Sequence, residues 1–183
     1  MASQAMSAWM LWLVPDEDSL PQFNDVVKSL SAHAPQSILY VPHVTLLADI
    51  PLSIPLDDIT SSLRAVISKC AQSGPLECTF RPITTSESYF HCVIAPVELN
   101  EELRSLRKAS AEIWGDKGSL FPHMSLKYAA ADEGRRGVLV QEAGKERVPK
   151  SWTTRGIAIV RCDGTPETWQ IVKTVPFGQE GEA

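Results

Sequence analysis

One six-residue phrase occurs twice in this chain, as Val41-Pro42-His43-Val44-Thr45-Leu46 and as Phe121-Pro122-His123-Met124-Ser125-Leu126. Each copy runs apolar, Pro, His, apolar, hydroxyl, Leu, and the two histidines stand 80 positions apart. Alternate side chains of a strand share a face, so each His and the hydroxyl two residues on point the same way. Brought together, the copies would set two proton-transfer groups and two hydroxyl donors around one small anion. A fold that uses both phrases at once needs two comparable halves that deliver these strands to one place.

The pattern around the phrases predicts such halves. Trp9 to Val14 reads as a first, buried strand. Ser19 is a candidate N-cap, with Pro21 in the first turn of a helix that repeats Phe23, Val26, Val27 and Leu30 at helical spacing. The first phrase then lies on a strand over about 38–49. Leu56 to Cys70 follows as a helix, with Ile59, Leu63, Val66 and Ile67 on one face. Leu76–Ile83 and Tyr89–Pro96 read as an antiparallel strand pair. A helix capped by Asn100 runs to Trp114, the second phrase forms a strand to about Ala129, and a weaker helix covers Gly134–Gly144. Arg155–Cys162 and Thr168–Val175 make a hairpin about the turn residues Asp163-Gly164-Thr165-Pro166. Helix, phrase strand, helix and strand pair thus occur before residue 97 and again over about 100–177. The expectation is an α+β chain with one domain over 1–183, pseudo-repeats at about 15–97 and 98–177, and a flexible tail at 178–183. A pseudo-two-fold axis between the halves would set the phrase strands face to face across a cleft.

Composition narrows the function. The net charge is −5, and no Lys/Arg cluster forms the basic stripe that long nucleic acids require. A nucleotide-derived ligand would therefore be a small molecule or a chain end. Cys70, Cys78, Cys92 and Cys162 follow no metal-type spacing and read as free thiols of a reducing compartment. The apolar run Ala8–Val14 is too short to span a bilayer, lacks a basic flank and ends in Pro15-Asp16-Glu17-Asp18. A soluble, cytoplasmic monomer with no membrane segment is expected.

The paired histidines point to hydrolysis of a phosphodiester. Imidazole titrates near neutrality, so one ring can accept a proton from water while the other protonates the leaving oxygen. His43 and His123 are the candidate catalytic pair, and Thr45 and Ser125 the candidate donors to non-bridging oxygens. Which ring is acid and which is base stays open at this level. No metal is expected: two His ligands would need further acids or thiols, and Asp49 is the one acid close behind either phrase. Lys127 has the parity of His123 and Ser125 and is expected to face the anion. Tyr128 has the opposite parity and would need a bulge to turn inward. Trp12 is a candidate platform for a base. His33 and His91 read as structural or surface residues.

His43-Val44-Thr45 and His123-Met124-Ser125 resemble the paired His-x-Thr/Ser motifs of the 2H phosphoesterase superfamily. Within it, the chain looks most like the cyclic nucleotide phosphodiesterases of plants and fungi. Trp12-Leu13-Val14-Pro15 is similar to the opening of that group. The continuation to Lys127-Tyr128 resembles its second motif, and Ile157–Phe177, with Asp163-Gly164 and Trp169, its terminal hairpin. The resemblance implies a bilobal α+β fold, with antiparallel sheets lining a central cleft and helices outside. It also implies opening of 2′,3′-cyclic nucleotides to 2′-phosphates and of ADP-ribose 1″,2″-cyclic phosphate to the 1″-phosphate, without a cofactor, on by-products of tRNA splicing. Tyr128 would then belong at the phosphate site. Two other readings stay open: a 2H exonuclease or ligase acting on RNA ends, and a non-catalytic module that binds nucleotides or RNA ends.

Overall fold

The structure, a computed structural model, describes residues 5–32, 39–70, 74–115 and 121–178. His33 and the tail expected at 178–183, Gly178 apart, lie outside the described residues. In chain order the elements are β1 (Met6–Leu13), α1 (Leu20–Ala32), β2 (Val44–Ile50), α2 (Leu56–Cys70), β3 (Leu76–Thr79), β4 (Val93–Pro96), α3 (Glu101–Trp114), β5 (His123–Lys127), α4 (Glu133–Lys145), β6 (Ser151–Thr154), β7 (Gly156–Gly164) and β8 (Gln170–Pro176). Six strands form one antiparallel sheet in the order β4-β5-β2-β1-β7-β8, and β3 pairs with β6 in a small second one. The α+β class with antiparallel sheets follows directly.

The apolar run that opens the chain becomes β1, flanked by β2 and β7. Both of its faces are covered, which is why it reads as a continuous apolar stretch rather than an alternating one. Trp9, Leu11 and Leu13 point into the main core with Phe23, Val26 and Leu30 of α1 and Ile59 and Leu63 of α2. The buried residues of α3 and α4 that join this core include Leu103, Leu106, Leu139 and Ala143, so all four helices cover the same face of the sheet. Met10 and Trp12 point the other way and pack with Ala158, Val160 and Cys162. Among the described residues none of the four α-helices packs in this second cluster, and this face is where a ligand can approach.

Capping explains where the helices begin. Asn100 accepts from the Leu103 backbone N–H at 2.8 Å, and Asp132 does the same for Arg135 at 2.8 Å ahead of α4. Ahead of α1 the carboxylate of Asp16 accepts from the Ser19 backbone N–H at 3.0 Å, so the acidic run helps to fix the entry of that helix.

Two expectations are corrected. The segments around Leu76–Ile83 and Tyr89–Pro96 do not form one regular pair: β3 is bonded to β6 and β4 to β5, and isolated bridges Phe80–Val97 and Thr84–Ile94 are what joins them. Ser151-Trp152-Thr153-Thr154, with a single apolar residue, gave no strand signal for β6. The phrase strands also do not face each other across a gap. They lie side by side in one sheet, with Val44 paired to Met124, and both present their histidines from the same face.

Met124 sits at this junction and is fully buried. Met124→Ala is expected to cost about 2–5 kcal/mol, as large-to-small core changes do. Chemical denaturation of the two proteins checks it; a cost below roughly 1 kcal/mol would show that the junction is not packed as described.

Candidate active site

The Val44–Met124 pair organises the site. Continued by one residue in either direction, its antiparallel register sets His43 opposite Ser125 and Thr45 opposite His123. Each hydroxyl therefore sits beside the other strand's histidine as well as on the face of its own. All four residues line one cleft of about 480 Å³ on the side of the sheet away from the α-helices.

Both imidazoles are held the same way. His43 Nδ1 lies 2.6 Å from the carbonyl oxygen of Val41, and His123 Nδ1 lies 2.9 Å from that of Phe121. A carbonyl can only accept, so each Nδ1 carries the hydrogen and each Nε2 is left as the nitrogen that exchanges a proton. The prolines explain the repeated spacing. Pro42 and Pro122 fix their own φ and hold the preceding residue extended, which aims that residue's carbonyl at the ring two positions on.

Burial depresses both titrations. It takes His43 down to about 4, with the Val41 hydrogen bond opposing and nearby His123 adding to the shift. His123 is lowered for the same first reason, opposed by its bond to Phe121 and reinforced by His91. The rings are thus neutral near pH 7 in the free protein. Their neighbours differ. The indole of Trp12 lies flat on His43, with centroids 3.4 Å apart and planes 6° from parallel. His123 instead meets the edge of a third imidazole, His91, at 4.4 Å and 77°.

A bulge sets the facing of the residues just past each phrase. Along β4 the partners step from Lys127 to Ser125 between Val93 and Ile94, which leaves Leu126 as an extra residue in β5. Leu126 and Lys127 consequently both leave the cleft face, and Tyr128 returns to it. The same happens in β2, where the partners of Trp12 and Leu11 are Thr45 and Leu47, with Leu46 extra. Tyr128 lines the cleft and stacks on Tyr40 at 3.8 Å, while burial pushes its phenol well above the ordinary value. Ser125 Oγ donates to the Phe90 carbonyl at 2.7 Å, and Tyr40 Oη donates to the Ser125 carbonyl at 3.1 Å.

The model of the cyclic phosphodiesterase-like protein family matches residues 6–177. The chain belongs to that family. It is a 2H phosphoesterase, and its chemistry is that of a phosphodiesterase-type hydrolase. Among solved structures, TT0787 of Thermus thermophilus is similar in fold at a TM-score of 0.59 and 17% identity, with 96% of this chain and 100% of that one covered. Escherichia coli LigT complexed with phosphate gives 0.56 at 9% identity, covering 96% of this chain and 100% of that one. LigT complexed with 3′-AMP gives 0.53 at 11%, covering 94% and 99%. No curated protein sequence matches this chain.

In this cyclic phosphodiesterase-like protein the cleft gathers His43, Thr45, His123, Ser125 and Tyr128 from the residues singled out in the sequence. Trp12 and Lys127 stand apart. Trp12 is 3% exposed and covers a histidine instead of offering its face to a ligand. Lys127 does not line the cleft, because strand parity, which puts it beside His123, fails at the bulge. Its Nζ is buried without a hydrogen-bond partner on the core side, near Cys92. His91 and Phe90 line the cleft without a sequence signal, since the turn at Tyr89–His91 carries no repeated pattern, and Trp169, marked only by the resemblance of the terminal hairpin, joins them from the loop before β8. Among the described residues no three His, Cys, Asp or Glu side chains converge as a metal site, and no helix is long and apolar enough to cross a membrane.

Lys127 gives a test of this placement. Burial lowers its ammonium to about 8, so the folded chain binds fewer protons than the unfolded one between there and the ordinary value of 10.5. Stability from this group therefore rises with pH across that window and is lost as pH falls. Lys127→Met is expected to flatten that rise in denaturation curves measured from pH 7.5 to 10.5 and to leave activity within a few-fold. A loss of activity of about 10²-fold, as for a removed oxyanion donor, would return Lys127 to the anion site.

Proposed function

We propose that this protein opens nucleotide-derived cyclic phosphates by paired-histidine acid–base catalysis: 2′,3′-cyclic nucleotides to 2′-phosphates, and ADP-ribose 1″,2″-cyclic phosphate to the 1″-phosphate. The observation that carries the reading is the pair of Nδ1-anchored imidazoles, flanked by Thr45 and Ser125, on one face of one sheet. The substrate is a small molecule and not a long nucleic acid, in keeping with the net charge of −5. LigT, a protein of the same fold, accommodates 3′-AMP and phosphate, which supports a nucleotide-sized ligand here.

The chemistry follows from the two rings. Thr45 and Ser125 hold the non-bridging oxygens of the cyclic diester, and Ser125 turns its hydroxyl from the Phe90 carbonyl to do so. One Nε2 takes a proton from water as its oxygen bonds to phosphorus. The bond from phosphorus to the 3′-oxygen breaks, and the other Nε2–H delivers its proton to that oxygen. Water is thereby split between the new P–OH and the freed 3′-hydroxyl. Either ring can take either part: both are anchored through Nδ1 and both present Nε2 for proton exchange.

Hydrolysis of adenosine 2′,3′-cyclic phosphate is expected to persist in excess EDTA, and to fall by about 10²-fold or more in His43→Ala and in His123→Ala. The product is expected to be the 2′-phosphate. Nucleotide binding without turnover across several cyclic phosphates would overturn the catalytic reading.

The pH dependence follows from the shifts. The active form has one ring charged and the other neutral, and burial lowers both rings below 6.5. The bell in kcat/KM is therefore expected on the acid side of pH 6.5, its alkaline limb reporting loss of the acid's proton. The bound diester's negative charge raises both rings, so the bell in kcat lies at higher pH. A kcat/KM optimum above pH 8 would contradict this assignment.

A further inference from the structure

The cleft extends well past the histidines, along β1 and β2, to Met6, Met10, Ala48 and Asp49. Asp49 is the one carboxylate among the described residues that line it. Its backbone is unusual: φ is 61°, the sole positive value at a non-glycine among the described residues. That region favours glycine, and Asp and Asn are among the few other residues that tolerate it. The cause is a second bulge. β1 runs from Leu11 to Trp9 while β2 runs from Leu47 to Ile50, so Ala48 and Asp49 together oppose Met10. Met10 faces the cleft, and so do the two residues set against it.

Thr45 pairs with Trp12 and Asp49 is set against Met10, so along β1 the two stand two residues apart, roughly 7 Å at about 3.3 Å per strand residue. That is of the order of the reach of one nucleoside from a phosphate held between the histidines. The rings of Phe90 and Trp169, with centroids 6.0 Å apart, line the same cleft as aromatic surface against which a base can lie. Asp49 adds a carboxylate to this lining, which only accepts hydrogen bonds when ionised.

We infer that Asp49 closes a base subsite and selects guanine. Resting on the cyclic-nucleotide reading above, this names the nucleotide that the cleft prefers. Guanine alone among the four bases presents two adjacent donors, N1–H and N2–H₂, which match the two oxygens of a carboxylate. Adenine and cytosine each set one acceptor beside one donor, and uracil flanks its N3–H with two carbonyls. Against those edges one carboxylate oxygen meets an acceptor.

The test is kcat/KM for the four nucleoside 2′,3′-cyclic phosphates in the wild type, Asp49→Asn and Asp49→Gly. Both replacements suit a positive φ, so the bulge is retained. Guanosine is expected to lead adenosine by about 10-fold or more in the wild type, the worth of a good bidentate pair. Asp49→Asn, which offers one acceptor and one donor, is expected to shift the preference to adenosine or cytidine. Asp49→Gly is expected to level the four. An unchanged base profile in Asp49→Asn would overturn the inference while leaving the activity in place. If the wild type hydrolyses none of the four, the catalytic reading has failed and Asp49 is judged by calorimetric binding of guanosine and adenosine 2′-phosphates. Guanosine preference lost in Asp49→Asn then sustains the subsite, and equal or absent binding of the two overturns it.

Discussion

Pairing of Val44 with Met124 is the contact on which the active site depends. It joins strands that lie 80 residues apart in sequence and turns two separate histidines into a pair with a common outlook. The helices cannot do this, because their apolar faces all pack against the opposite side of the sheet. Burial there holds the sheet in shape, and the backbone pairing sets the spacing of the chemical groups. Stability and chemistry thus occupy different faces of the same six strands.

Irregularity in those strands is as important as their regularity. Two bulges follow equivalent positions, Leu46 in β2 and Leu126 in β5, and they hand the cleft face from one parity to the other. Leu47 and Lys127 leave it, while Ala48 and Tyr128 join it. A further bulge brings in Asp49. Without them Leu47 and Lys127 would stand on the cleft face, and Ala48 and Tyr128 on the core face. With them, one face of β2 lines the cleft from Thr45 to Asp49.

Much of this was legible in the sequence. The repeated phrase marked both histidines and both hydroxyls, and the apolar spacing of Phe23 to Leu30 and Ile59 to Ile67 marked the helices that cover the sheet. The illegible part has physical causes. Parity arguments assume an unbroken strand, so they placed Lys127 on the cleft face and left Tyr128 in need of a bulge that one sequence cannot reveal. Trp12 looked available for stacking, yet the closest ring is part of the protein: His43. The repeat suggested opposed strands, because symmetry alone does not say whether related strands meet by their faces or by their edges. His91, Phe90 and Trp169 reach the cleft from turns, where no periodicity announces them.

In the proposed mechanism the carbonyl anchors on the two Nδ1 atoms also govern what happens between turnovers. Once a ring has opened, the acid has given up its proton and the base has gained one, so the pair stands with its states exchanged. A free imidazole can pick up at one nitrogen and release at the other. Here the far nitrogen of each ring is tied to Val41 or Phe121 and has nowhere to send a proton. Both protons must therefore return through Nε2, by way of the cleft, its water or the departing phosphate. The path by which product leaves is then also the path by which the catalyst is reset.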